Sequence, residues 1–273
     1  MSKNPVDPET SLTPRQRNLL FALIKEFCEF GTSLGSKELK EKYGFDFSPA
    51  TIRNEMAYLR ELGYLYQPFT NASNQPTEKA FKIFINQLIV GLQVTSHQHQ
   101  ELKKQILEME EKQVNLQKEI SRLLAFDSGG VGFTLDKNNE SISGVKNLLS
   151  SSKDGKITDI LDFLDNLDSH KKYLLEHPKE QEKLLLKGGQ VNQEQKNNLQ
   201  TIIGTENPVI PLGQGYAMLA TEVYIDNQKT VVGLITPIHV LARKKNLELV
   251  QALGSVLGKS KETKPKISKP KGK

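Results

Sequence analysis

The first third of the chain repeats apolar positions with the period of a helix in three short stretches. Residues 12–31, 36–44 and 48–63 each carry apolar side chains three or four positions apart, the spacing of one helix face. Thr13 can cap the first stretch and Gly31 can end it, and Ser36 is predicted to cap the second. Three helices joined by short turns are typical of a helix-turn-helix.

The third stretch has two distinct faces. Ser48 is a good N-cap, and Pro49 occupies the first helical position, where its missing N–H costs nothing. Ile52, Met56 and Leu59 form the apolar face that we expect to pack inward. The opposite face is small or hydrogen-bonding: Ala50, Thr51, Arg53 and Asn54. Because Arg and Asn make bidentate contacts to guanine and adenine edges, this face suits a DNA-recognition helix.

A hairpin is predicted after the third helix. Tyr64, Leu65 and Tyr66 form a short β-prone run, and residues 67–77 are a polar, turn-rich loop with two prolines. A hairpin beside a recognition helix can lie along phosphates or enter the minor groove. The alternative is a small three-helix domain with an ordinary hairpin that contacts protein. We favour a winged helix-turn-helix over residues 12–76.

Residues 77–125 carry a heptad rhythm, which predicts a long dimerisation helix. Thr77 can cap it, and the weak positions Thr95 and His99 indicate a flexible point or a break. Ile at a and Leu or Met at d favour a two-stranded coiled coil. The pairing positions are Leu102, Ile106, Met109, Gln113, Leu116, Ile120 and Leu123. The alternative is a helix that lies on its own domain. A symmetric homodimer should bind an inverted repeat.

The remainder, residues 126–258, mixes strands with helices and predicts an α+β domain of a sensory type. Strands are expected at 129–135 and 201–204, and in two runs, 216–225 and 229–237, around a turn at Asp226 and Asn227. Helices are expected at 157–178 and 241–257, the former within an inserted segment of about residues 146–200.

Composition argues against several classes of protein. No apolar run reaches the length of about 18 residues that a membrane helix needs, so we expect a soluble, cytoplasmic protein. The single cysteine, Cys28, cannot form an internal disulfide, and we interpret it as a half-buried structural thiol. The five histidines lack the spacing of a zinc site, and no nucleotide-binding or nucleophile motif has the right context. We expect no catalysis, metal or cofactor.

The charge is concentrated at one end. The chain carries a formal net charge of +5, and residues 259–273 hold seven lysines and one glutamate, so the rest is nearly neutral. We predict that this tail is disordered. It either adds salt-dependent attraction to phosphates or only improves solubility. Residues 1–11 are also predicted to be disordered.

Residues 12–90 resemble the N-terminal part of the heat-inducible transcription repressor family HrcA. The segments GSKEL (35–39) and SPATIRNEM (48–56) match that family closely, and TNASNQPTEKAF (70–81) resembles its wing. Two positions depart from the pattern, because Ser73 replaces the usual glycine and Asn74 replaces the wing arginine. The resemblance and the helix pattern together assign DNA contact to Ser36, Lys37, Ser48, Ala50, Thr51, Arg53, Asn54, Thr70, Asn74 and Thr77.

Residues 201–257 are moderately similar to the C-terminal part of the same family, which implies a GAF-like domain. The family's strand ends in a glycine-proline and Arg-Met pattern, whereas this chain has Thr236 before Pro237 and the pair His239-Val240. The chain is shorter than usual between Leu148 and Gly204, which predicts a reduced inserted segment.

The resemblance implies a repressor of heat-shock chaperone genes that binds an inverted-repeat operator in double-stranded DNA as a dimer, is released on heat stress, and is modulated by the chaperonin. Two alternatives remain open. One is a ligand-responsive winged-helix regulator of other genes, and the other is a protein-interaction scaffold that does not use DNA.

Overall fold

The computed structural model describes residues 12–70, 72–112, 114–151, 158–176, 199–205, 207, 209–210 and 212–258. The predicted tail at 259–273, the N-terminal residues 1–11 and the heptad position Gln113 lie outside the described residues. The three helices predicted at the start are present: α1 spans Pro14–Phe30, α2 spans Ser36–Tyr43 and α3 spans Pro49–Glu61. They are followed by an antiparallel hairpin of β1 (Leu65–Tyr66) and β2 (Gln75–Pro76). We call residues 12–77 the N-terminal unit.

The ends of α1 confirm the predicted boundaries. The Thr13 hydroxyl accepts the backbone N–H of Gln16, and the Gln16 side chain accepts the N–H of Thr13 in return, at 3.3 Å and 3.0 Å. Gly31 ends the helix at φ 71°, a left-handed conformation that suits glycine. These caps satisfy backbone groups that helix ends leave without partners.

The start of α2 differs from the prediction. Gly35 is the N-cap, and Ser36 is the first helical residue with only 8% of its surface exposed. Gly35 has no side chain with which to cap, and its own N–H donates to the Glu38 carboxylate at 2.8 Å. A glutamate three residues after the cap therefore stabilises this end.

The prediction of one long helix over residues 77–125 is wrong, because residues 78–128 form three helices. Helix α4 spans Glu78–Val90, α5 spans Ser96–Glu111 and α6 spans Leu116–Ser128. The first break follows Gly91 and ends where the Thr95 hydroxyl caps α5 by accepting the N–H of Gln98. The second ends at Asn115, whose side chain caps α6. The weak heptad position at Thr95 therefore marks a helix start.

The heptad side chains are used inside the chain. Leu102 and Ile106 of α5, and Leu116 and Ile120 of α6, are buried in one hydrophobic cluster with the C-terminal helix, whereas Met109 and Leu123 are half-buried against it. Side chains that already fill the core of one chain cannot also form a coiled-coil seam with another. The structure instead agrees with the alternative of helices lying on their own domain.

The C-terminal part is built around a five-stranded antiparallel sheet with the strand order β4-β3-β7-β6-β5. Its strands are β3 (Val131–Leu135), β4 (Glu140–Ser143), β5 (Leu199–Ile203), β6 (Tyr216–Ile225) and β7 (Gln228–Pro237). The β6–β7 hairpin turns at Asp226 and Asn227, both at positive φ, as predicted. Strand β4 was not predicted, because its residues Glu140–Ser143 lack a buried apolar alternation.

Helices cover both faces of this sheet. On one face α6 packs on β3, and the last helix, α11 (Lys244–Leu257), packs on β6 and on α5. Gly132 lets α6 lie directly on β3, because a Cβ there would overlap the Ser121 carbonyl. The other face packs against α7 (Val145–Ser151), α8 (Thr158–Asp165) and α9 (Leu167–Glu176). The result is an α+β architecture, as expected.

The N-terminal unit and the helix α4 that follows it are joined to the C-terminal part by a packed seam. The ring of Phe27 on α1 lies 6.1 Å from that of Phe81 on α4, and 6.0 Å from that of His239 on the short helix α10 (Ile238–Leu241). The Arg243 guanidinium donates to the carbonyl of Cys28 at 3.0 Å and 3.2 Å. The Gly215 N–H donates to the Glu78 carboxylate at 2.5 Å. These contacts set the orientation of the unit.

Candidate nucleic-acid interface

Helix α3 is fixed to the unit through its inner face. Ile52 and Leu59 are fully buried, as predicted. The Glu55 carboxylate accepts a hydrogen bond from the Gln16 side chain at 2.9 Å and forms an ion pair with Arg15. A buried carboxylate that is held in this way leaves little freedom for the helix to rotate.

The outer face of α3 carries side chains that are available for contact. Ala50, Arg53 and Asn54 are exposed. Within the part of the chain that the structure describes, neither Arg53 nor Asn54 has a side-chain hydrogen bond or an ion pair. An unpaired guanidinium and an unpaired amide on one exposed face provide the donors and the acceptor that base edges require.

The two hydroxyl groups at the start of α3 are partly engaged. The Ser48 Oγ atom accepts the Thr51 N–H at 3.1 Å and lies 2.9 Å from the Thr51 Oγ1 atom. Ser48 is exposed and Thr51 is half-buried. The Ser48 hydroxyl therefore caps the helix while the Thr51 hydroxyl is paired with it, and each retains hydrogen-bonding capacity for a partner.

The other predicted contact residues lie in varied environments. Lys37 and Thr70 are exposed, whereas Ser36 is buried and is a poor candidate for contact. Thr77 caps α4 and donates its hydroxyl hydrogen to the carbonyl of Gly63 at 2.8 Å. Thr77 thus anchors the base of the hairpin.

Asn74 has a structural role that its sequence position did not predict. Only 7% of its surface is exposed, and its Oδ1 atom accepts a hydrogen bond from the Arg60 guanidinium at 2.8 Å. The assignment of Asn74 to DNA contact is therefore wrong in this structure, because the amide is directed into the unit. Arg60 was not predicted to matter, and no local signal links two residues that are fourteen positions apart.

Charge within the N-terminal unit is nearly balanced. Residues 12–77 contain eight Lys or Arg and seven Asp or Glu side chains. Several cations are paired, as in the ion pair of Lys42 with Glu26 at 2.7 Å. Any affinity of this unit for phosphates must therefore come from a few well-placed cations, because a general positive field is absent.

The side chains elsewhere that could take part in chemistry lie in environments that suit a structural role. Burial raises the pKa of the Cys28 thiol to about 12, with a smaller opposing effect of the Arg243 charge. The thiol is therefore protonated at neutral pH, which agrees with a structural role, but it is buried and not half-buried as expected from the sequence. Among the described residues, no group of three or more His, Cys, Asp or Glu side chains could hold a metal ion. None of the described helices is long and apolar enough to cross a membrane.

A family model for the HrcA protein C-terminal domain matches residues 68–241, which is more than half of the chain. The chain belongs to the HrcA family. The match begins in the hairpin, passes through α4–α6 and the sheet, and ends with α10. The three helices of residues 14–61 lie before it.

Individual HrcA relatives are similar over a shorter part. The heat-inducible transcription repressor HrcA of Sorangium cellulosum is 42% identical over 98 residues, which are 36% of this chain and 28% of that protein. The protein of the same name from Clostridioides difficile is 44% identical over 78 residues, which are 29% of this chain and 23% of that protein. These alignments thus span less than a third of either relative.

A solved structure has an architecture similar to that of this chain. The crystal structure of a protein described as hypothetical superposes with a TM-score of 0.56 at 17% identity, over 90% of this chain and 98% of that chain. At this identity the likeness shows a shared fold alone.

Proposed function

We propose that this HrcA-family chain is a sequence-specific, DNA-binding repressor of heat-shock chaperone genes, and that it binds an inverted-repeat operator as a dimer. The observation that carries the proposal is the outer face of α3, where Arg53 and Asn54 are exposed and without partners among the described residues. The relatives' shared name, heat-inducible transcription repressor, supports the same function.

The mechanism follows from how α3 is held. Its inner face is fixed by Glu55, and its hairpin is fixed by Arg60, so that α3 and the hairpin move as one piece. In a dimer, two such pieces related by a two-fold axis would read two half-sites one helical turn, or a multiple of it, apart. Two weakly charged units bound together gain affinity from their effective concentration.

Heat release would act through the seam between the N-terminal unit and the C-terminal part, which we assign to the GAF-like class. The seam is held by the contacts of Phe27 with Phe81 and His239 and by the bonds from Arg243 and to Glu78. Loosening it would free the unit to rotate and take the two copies of α3 out of register. We expect the chaperonin to favour the arrangement in which this seam is intact. The dimer must form through surfaces other than the buried heptad positions.

The experiment is a fluorescence anisotropy titration of the full chain with the inverted repeat found upstream of the organism's chaperonin genes. The expected result is tight binding at moderate salt that weakens strongly when about 5 base pairs are inserted between the half-sites, because the two major grooves then face opposite sides. A folded dimer that binds every such operator no better than random DNA would overturn the proposal.

A ligand-responsive regulator is the second candidate, and a cleft between the two parts favours it. The cleft has a volume of about 740 Å³ and is lined from both sides, by Lys25 and Glu26 of α1 and by Arg243 and Lys244 beyond α10. The Glu26 Oε2 atom is buried there and has no hydrogen-bond partner. A thermal shift screen separates the candidates, since a metabolite that raises the Tm and changes operator affinity supports this one.

A further inference from the structure

The hairpin lacks the charge by which a wing usually contacts DNA. Between Glu61 and Glu78 the sequence has no Lys, Arg or His. Asn74 stands at the position of the wing arginine in the resemblance described above, and it is buried against Arg60. A hairpin without cations releases no counterions from phosphates. If the hairpin contributes to binding, it must do so by another kind of contact.

The tip of the hairpin presents an aromatic side chain. Phe69 is 72% exposed, and the neighbouring Tyr66 is 46% exposed. An apolar ring in water has an unfavourable free energy that is recovered when a partner covers it. Exposed aromatic side chains on a rigid support are typical of binding surfaces.

The tip is held in place before any partner arrives. The N–H of Ala72 donates to the carbonyl of Phe69 at 3.0 Å, and the Gln67 side chain donates to the carbonyl of Ala72 at 2.8 Å. Pro68 restricts the backbone before Phe69. The Tyr66 hydroxyl donates to the Gln75 side chain at 2.8 Å and joins the two strands. Because these bonds already hold the neighbours of Phe69, its binding costs less conformational entropy.

The base of the hairpin is tied to the end of α3. The bond from Arg60 to Asn74 joins α3 to the hairpin, and the ammonium of Lys79, on the helix that follows the hairpin, donates to the carbonyl of Leu62 at the end of α3 at 2.7 Å. The tip therefore moves with α3. When α3 lies in a major groove, a hairpin attached to its end lies over the adjoining backbone and minor groove.

We propose that Phe69 is an apolar wedge that enters the minor groove beside each half-site. This inference rests on the proposed DNA binding and specifies the contact made by the hairpin. Apolar side chains that insert between base pairs unstack them, and pyrimidine–purine steps such as TA unstack most readily. The wedge would therefore make the repressor sensitive to a flanking step that no hydrogen bond reads.

The experiment compares variants of the full chain by anisotropy at several salt concentrations, on an operator that the wild type binds. Phe69→Ala is expected to weaken binding about tenfold, since it removes one buried ring. The slope of log affinity against log salt should not change, because no charge is lost. Phe69→Lys should recover part of the affinity and steepen the slope by about one.

A matched control and a direct probe complete the test. Phe30 is another exposed phenylalanine of the same unit, on α1, and Phe30→Ala should leave binding unchanged. With 2-aminopurine placed in the flanking TA step, the wild type should raise its fluorescence by unstacking, and Phe69→Ala should not.

The outcomes that contradict the inference are distinct. If wild type and Phe69→Ala bind equally and unstack the probe equally, Phe69 does not act as a wedge, while the proposed repressor function stands. If Phe69→Ala alters the oligomeric state in sedimentation, the ring belongs to a contact between copies, and the wedge is again wrong. If the wild type binds none of the operators, the proposed function fails together with this inference.

Discussion

Helices α3 and α5 have the same kind of apolar stripe, yet they use the rest of their surface in opposite ways. In α3 the stripe packs inward and leaves Arg53 and Asn54 in solvent without partners among the described residues. In α5 the stripe of Leu102 and Ile106 is buried, and two polar residues of the helix also bind within the chain. Gln98 donates to Glu248 at 3.2 Å, and His99 lies 3.1 Å from the Ser255 hydroxyl.

The difference shows which helix is available for an external partner. A helix whose polar side chains are satisfied by its own domain contributes stability, whereas one whose hydrogen-bonding groups remain unsatisfied at the surface contributes recognition. Substitutions in α5 should therefore change the free energy of unfolding and leave binding intact. Substitutions on the outer face of α3 should do the reverse.

The largest effect is expected from Ile106→Ala. Removing this buried side chain should lower the free energy of unfolding by about 2–5 kcal/mol, because the transfer free energy is lost and a cavity remains. Urea denaturation at two protein concentrations measures it. The adjacent Leu107 is exposed, and Leu107→Ala should change stability by less than about 0.5 kcal/mol. If the loss from Ile106→Ala depends strongly on protein concentration, the side chain pairs two chains after all.

Arg53→Ala should weaken DNA binding and leave stability unchanged. We expect operator binding to weaken by about 1–3 kcal/mol, with relaxed specificity at one base pair and an unchanged Tm. Anisotropy against a panel of single-base operator variants measures both quantities. Arg122 is an exposed arginine on α6 that pairs with Glu119 at 2.6 Å, and Arg122→Ala serves as the control. A uniform loss across the panel would show that Arg53 contacts phosphate and reads no base.

In the hairpin, two adjacent positions separate the stability of the fold from the binding of DNA. Asn74→Arg should destabilise the fold by about 1–3 kcal/mol, because it removes the acceptor of Arg60 and places a second cation in a buried site. Ser73 is exposed, and Ser73→Arg should leave the Tm unchanged and steepen the salt dependence of DNA binding by about one. Thermal denaturation and salt titrations of both variants decide this. Tighter binding by Asn74→Arg with an unchanged Tm would mean that the Arg60 bond does not stabilise the hairpin.

What could be predicted from the sequence depended on the range of the interaction. Helix starts at Thr13, Ser48 and Thr77 follow from side chains that cap their own backbone, so short segments suffice to predict them. The β6–β7 hairpin likewise follows from Asp226 and Asn227, which tolerate positive φ.

The errors arose where the partner is distant in sequence. A heptad pattern shows that one helix face is buried, but it is the same whether the covering surface is another chain or α11, which lies more than a hundred residues later. The burial of Asn74 depends on Arg60. At the site itself, the exposed face of α3 is predictable from the sequence, whereas the hydrogen bond that joins the hairpin to α3 is not.

The smallest expected effect concerns His239, which lies in the seam that orients the N-terminal unit. Burial, and secondarily the Arg243 charge, lowers the pKa of His239 in the folded chain. The ordinary value is about 6.5, so the unfolded chain takes up a proton first as the pH falls. The seam is therefore fully stabilised above about pH 6.5 and is weakened as the pH falls through that value.

His239→Leu should reduce the difference in Tm between pH 7.5 and pH 5.5. Burial also lowers the pKa of His170, on α9, so His170→Leu is the matched control: it should remove a separate part of the pH dependence without changing operator affinity. If His239→Leu leaves the Tm difference at its wild-type size, the seam does not keep this histidine neutral.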